Sequence, residues 1–123
     1  MRAHDGVAAA STLHDAGESE LAAEVLGHLA DPTRLHLLRL LRGGEQDVST
    51  LTAQVSASRS SVSQHLGRLR LAGLVQVRRD GRRMLYRVGS DHLHALVAEA
   101  YEFASHVVRS IPHHVADERG PGG

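Results

Sequence analysis

Residues 58 to 73, SRSSVSQHLGRLRLAG, decide how the rest of this chain is read. Ser58 is suited to cap a helix, and Val62, Leu66, Leu69 and Ala72 recur at three- and four-residue steps, which sets one side against a core. The opposite side is small and polar. Arg59, Ser60, Ser61, Ser63, Gln64 and Arg68 offer donors and acceptors to phosphates and base edges, and Gly67 lets a backbone come close. His65 falls near the buried side and reads as a packing residue or a DNA contact. Taken alone, such a stretch is also what an ordinary amphipathic surface helix looks like, so its flanks decide between the two.

Upstream, Val48, Leu51 and Val55 predict a short helix that runs into a polar break at Ser56 to Ser58. Two short helices across a tight turn make a helix-turn-helix unit. Downstream, Gly73 ends the second helix, and LVQVRRDGRRMLYRV (74 to 88) alternates as two strands about Asp80-Gly81, a strong hairpin signal. Arg78, Arg79, Arg82 and Arg83 flank its tip. A basic hairpin by itself is usually just solvated surface. Directly after a helix-turn-helix it becomes a wing, able to reach phosphates or a minor groove beside the helix.

Charge sorts the same way. The chain has 14 Lys+Arg and 14 Asp+Glu for a formal net charge of +0, yet residues 59 to 87 hold eight Arg against one acid, Asp80. Residues 1 to 58 and 88 to 123 are both net acidic. The attractive field for a polyanion is thus confined to one patch. One Phe, two Tyr and no Trp argue against a stacking surface for single strands, and double-stranded DNA is the expected partner. The absence of Cys removes disulfides and thiolate metal sites together. No apolar run approaches eighteen residues and no signal peptide is seen, so no membrane association and a cytoplasmic location are expected.

Residues 1 to 17, rich in Ala, Gly and Ser, are expected to be a flexible arm. From Glu18 an amphipathic helix runs to about Ala30 through Leu21, Ala22, Val25, Leu26 and Leu29. Asp31-Pro32 then starts a largely buried helix through Leu35, Leu37, Leu38, Leu40 and Leu41, stopped by Gly43-Gly44. A last helix, capped by Ser90 and ended at Ile111-Pro112, presents Leu93, Leu96, Ala100, Ala104, Val107 and Ile111 on one face. His92, Glu99, Phe103 and His106 lie on an adjoining stripe, and His94 points to the other side. An apolar face bordered by His and carboxylate suits a helix that packs on its twin and holds a metal between the copies. The apolar faces of residues 21 to 29 and 93 to 111 exceed what one small domain can cover, so a homodimer is expected. The fold class is mainly α with a β-hairpin: one winged helix-turn-helix domain over 18–111, followed by a His-containing flexible tail over 112–123.

With ADPTRLHLLRLL (30 to 41), SSVSQHLGRLRLAGLV (60 to 75) and RRDGRRMLYRV (78 to 88) in this order and spacing, the chain closely resembles the ArsR/SmtB family of metal-responsive repressors over about residues 18 to 111. The resemblance implies a homodimeric winged helix-turn-helix repressor that leaves operator DNA when metal binds. The C-terminal run DHLHALV, ASH, IPHH looks most like that of a nickel- and cobalt-sensing member. Family sites on this helix follow D-x-H-x10-H-x2-[H/E]. If His92 is the first His of that pattern, Ser90 stands where Asp is expected and Phe103 where the second His is expected, while His92 and His106 match. Asp91 is one place off the aspartate position, Glu99 is a further carboxylate on the stripe, and His113 and His114 could fold back from beyond the helix. Imidazole and carboxylate without sulfur suit nickel, cobalt or zinc. More than four candidate ligands favour six-coordination, hence nickel or cobalt, with zinc as the alternative. The other reading is a regulator of the same fold that senses no metal or acts as an activator. An enzyme is not expected, since no HExxH-type helix or paired nucleophile and base is present.

Overall fold

Alanine content, not periodicity, extends the first helix. The computed structural model describes residues 6–111, with side chains from residue 17 onward, and its first helix, α1, spans Gly6–Leu29. The expected arm is therefore corrected over residues 6 to 17, where a proline-free, Ala-rich run has the helix propensity to continue α1 although it lacks a regular apolar stripe. Helix α2, Pro32–Leu40, starts as expected: Asp31 caps it by accepting the Arg34 N–H at 2.9 Å, and Pro32 sits in its first turn. A 3₁₀ turn, Leu41–Gly43, closes it.

The next segment holds an element the sequence did not disclose. Gln46–Asp47 form a two-residue strand, β1, before the short helix α3, Val48–Thr52, which Asp47 caps. Helix α4, Arg59–Leu71, is capped by Ser58, whose Oγ accepts the Ser61 N–H at 3.0 Å. Strands β2, Gln76–Asp80, and β3, Arg83–Arg87, form the hairpin, and β1 joins its other edge to give the antiparallel order β1-β3-β2. Asp80 pairs with Arg83, so the two turn residues are Gly81-Arg82 and not Asp80-Gly81. Gly81, at φ 66°, takes the first central position, which suits a turn that needs glycine there.

Helix α5, Asp91–Ser110, is capped by Ser90. The core joins Leu37, Leu38 and Leu41 to Leu51 of α3, to Val62, Leu66 and Leu69 of α4, and to Leu93 and Val97 of α5. Tyr101, half-buried one turn after Val97, carries the Arg39 guanidinium 4.1 Å above its ring. This splits the single apolar face expected for α5. Leu93 turns into the protomer, while Leu96, Val107 and Ile111 stay 38%, 44% and 50% exposed. The cause is width: a stripe that spans about 100° of a helix can serve two contacts, and the protomer's core takes only the side of Leu93, Val97 and Tyr101. Among the described residues, no helix is long and apolar enough to cross a membrane.

Candidate functional site

Because Val62, Leu66 and Leu69 are fully buried, one side of α4 faces the core, and Arg59, Ser60, Ser63, Gln64 and Arg68 are all turned outward and exposed. Ser61 differs from them. It is half-buried, and its N–H is spent on the cap. Arg59 donates to the Ser49 hydroxyl, which ties the start of α4 to α3. A cleft of about 260 Å³ between α3, the start of α4 and the wing tip is lined by Ser49, Arg59, Arg82 and Arg83, with Asp47 at one wall. Converging guanidiniums and a hydroxyl suit a DNA backbone phosphate.

The four wing arginines are not equivalent. Arg78 donates to both carboxylate oxygens of Glu45, at 2.8 and 2.9 Å. That pairing holds the Glu45 carboxyl below the usual carboxylate range and raises the guanidinium above its own. Arg83 lies 3.8 Å from Asp47 and 4.0 Å from Asp80. The hydroxyl and N–H of Thr50, and then Arg83, also hold the Asp47 carboxyl down. Among the described residues, Arg79 and Arg82 carry no ion pair and are exposed, which leaves them as free cations at the wing tip. Glu45 and Asp47 were missed from the sequence because the pairing of β1 with β3, Gln46 opposite Tyr86, is what carries them to the wing. A two-residue strand leaves no alternation to read.

His65 is half-buried against the α1–α2 corner, with Nδ1 3.4 Å from Arg34 Nη1 and Nε2 3.8 Å from Asp31. It packs, as one of the two expected roles had it.

On α5 the structure brings His92, Glu99, Phe103 and His106 onto one exposed stripe beside Leu96 and Val107. His94 turns the other way, its Nε2 3.1 Å from the Val88 carbonyl oxygen. Asp91, the first residue of α5, lies about 100° around the helix from His92. His113 and His114 lie outside the described residues. His92 and His106 are fourteen residues apart, about 21 Å along a helix, whereas metal–ligand bonds are about 2 Å. Among the described residues, no three His, Asp or Glu converge closely enough to hold an ion. The donor types fit a borderline divalent metal. Their separation means that one protomer cannot complete the site from these residues.

Residues 31–77 match the model of the bacterial regulatory protein, arsR family. The HTH-type transcriptional regulator KmtR of Mycobacterium tuberculosis is 43% identical over 103 residues, covering 84% of this chain and 77% of that protein. The HTH-type transcriptional repressor SmtB of the same species is 36% identical over 85 residues, covering 69% of this chain and 63% of that protein. Among solved structures, the homodimeric winged helix-turn-helix DNA-binding domain of a possible ArsR-family regulator from Mycobacterium bovis superposes with a TM-score of 0.67 at 30% identity, covering 80% of this chain and 88% of that one. The transcriptional repressor BigR from Xylella fastidiosa gives the same TM-score and identity, covering 75% and 94%. These relatives are transcriptional regulators, not enzymes.

Proposed function

Since the chain belongs to the arsR family of bacterial regulatory proteins, we propose that it is a metal-responsive repressor: a homodimer that holds operator DNA through α4 and the wing and is released when nickel or cobalt, or alternatively zinc, binds between its two α5 helices. The observation that carries this reading is the outward stripe of α5. His92 and His106 stand fourteen residues apart on it, with exposed Leu96 and Phe103 between them and Val107 just beyond. A second α5 laid antiparallel on this stripe would cover the apolar side chains and bring His92 of one chain to His106 of the other. Each of two equivalent sites would then draw on both chains. Glu99 lies along the same stripe, Asp91 at its edge, and His113 and His114 follow in the tail.

What the bound ion supplies is a short, rigid link between the subunits. The chain's own contribution is to convert that link into a spacing of the two α4 helices. DNA asks for half-sites about 34 Å apart. When the two spacings differ, metal and DNA oppose each other by one coupling energy, about 1–3 kcal/mol. On the DNA side, Ser63 and Gln64 reach base edges, Ser60, Arg59 and Arg68 fix α4 on the backbone, and Arg79 and Arg82 hold phosphates beside it. Arg83 joins Arg59 and Arg82 at the phosphate cleft, Arg78 is braced within the wing by Glu45, and Ser61 is part of the cap.

Fluorescence anisotropy at fixed salt, with DNA from upstream of the protein's own gene, tests the reading. Operator affinity should fall about 5- to 150-fold when nickel or cobalt is added. DNA binding with no response to nickel, cobalt or zinc would instead identify a regulator of the same fold that senses no metal.

A further inference from the structure

The joint between α1 and the rest of the protomer has little apolar content: Leu29 is buried there and Val25 half-buried, whereas Leu21 and Leu26 are exposed. A polar cluster supplements it. The half-buried Arg34 side chain donates from Nε to the His28 carbonyl oxygen at 2.7 Å, in the last turn of α1. Its own N–H bonds the cap Asp31 at 2.9 Å, and its Nη1 lies 3.4 Å from Nδ1 of His65 on α4. One side chain thus reaches the end of α1, the start of α2 and the middle of the DNA-facing helix.

A guanidinium only donates, so in the contact between Arg34 and His65 the Nδ1 nitrogen takes the accepting role. Nε2 faces Asp31 Oδ2 at 3.8 Å, the same oxygen that caps α2. The Arg34 N–H, followed by the nearby His65 and the Arg34 guanidinium, holds the Asp31 carboxyl below its usual range, so Asp31 stays the anionic partner of this cluster. His65 follows Gln64 directly in the chain. A shift of the α1–α2 corner that moves Arg34 and Asp31 therefore turns α4 at the residue beside a base-reading side chain.

We propose that Arg34, Asp31 and His65 form a positioning cluster that ties the α1–α2 corner to the rotational setting of α4, and through it governs discrimination between operator and random DNA. The proposal rests on the reading of α4 as the DNA-contacting helix, and its test has an arm that needs no DNA. His65→Leu removes both ring nitrogens. His65→Asn keeps an acceptor near the place of Nδ1 and so preserves the arm toward Arg34. Neither substitution introduces a formal charge, so binding to random duplex should hold within about twofold. Operator preference should fall about tenfold in His65→Leu, the loss of roughly one charge-assisted hydrogen bond, and recover to within about threefold of wild type in His65→Asn. Without DNA, amide hydrogen exchange at residues 27 to 31 should speed up about tenfold in His65→Leu, with the melting temperature within a few degrees of wild type. Unchanged exchange at that corner overturns the cluster whatever DNA does, as does equal loss in Leu and Asn variants or loss that simply tracks melting temperature. Faster exchange in a protein whose wild type shows no operator preference leaves the cluster standing and removes the DNA reading instead.

Discussion

The outward faces of α4 and α5 have opposite characters. Along α4 the exposed residues are Ser, Gln and Arg, set by a fully buried Val62, Leu66 and Leu69 beneath them, and the wing beside them belongs to the same protomer. This surface is complete in one chain. Along α5 the exposed residues include Leu96, Phe103 and Val107 together with His92 and His106, and only the opposite side meets the core. That surface is half of something. On the function proposed above, a DNA face in each protomer and a sensing face shared by two protomers would let the arrangement of subunits become a signal to DNA.

The difference can be broken at its strongest point first. Leu96→Glu with Val107→Glu places two carboxylates on the face that has to be covered. Desolvating them costs several kcal/mol, so the dimer should weaken by at least about a hundredfold and sediment as monomer or aggregate. A wild type that sediments as a compact monomer at micromolar concentration would remove the assembly from the account.

On α4 the expected effects are smaller. Gln64→Ala or Ser63→Ala should cost about 1–3 kcal/mol of discrimination where the side chain reaches a base edge, read as the ratio of operator to random-duplex affinity. Ser58→Ala removes the cap bond to Ser61 and should lower unfolding stability by about 1 kcal/mol, measured in urea. The wing separates the arginines. Arg79→Ala or Arg82→Ala should weaken all duplexes and flatten the salt slope by about one, whereas Arg78→Ala should do less because Glu45 already holds that guanidinium. Glu45→Gln should strengthen binding to every duplex by freeing it.

The smallest effect concerns acid. Asp31, Glu45 and Asp47 all have carboxyls held below their ordinary values. Each therefore contributes stability that is present above the ordinary carboxylate value and lost as pH falls through the depressed one. Melting temperature should be flat from pH 7 to 5 on their account and decline below about pH 4, less steeply in Asp47→Asn.

How legible these regions were follows from the same contrast. Ser58, Val62, Leu66 and Leu69 identified α4 at once, because a cap and a helical period are local signals. The hairpin was equally plain, although the turn fell one residue later, at Gly81-Arg82, where the strand register rather than the dipeptide placed it. The faces of α5 were read less well. Leu93 and Leu96 fall on one apolar arc, and only the way α5 sits on the core decides that Leu93 is buried and Leu96 is not. Glu45 and Asp47 reach the wing through a tertiary pairing of two residues, which no local pattern announces. His94 was sorted correctly from His92 by helical geometry alone.

The claim that metal would bridge the two subunits, rather than lie within one, is tested most directly by mixing variants. His92→Ala and His106→Ala homodimers should each bind operator normally and fail to release it with nickel or cobalt. A heterodimer of one His92→Ala chain and one His106→Ala chain, prepared with two affinity tags, keeps one intact pair, His92 of the second chain with His106 of the first. It should recover a metal response, about half the wild-type coupling energy if the two sites act independently. A heterodimer as unresponsive as either parent, or parents that still release DNA, would contradict a site shared between the α5 helices.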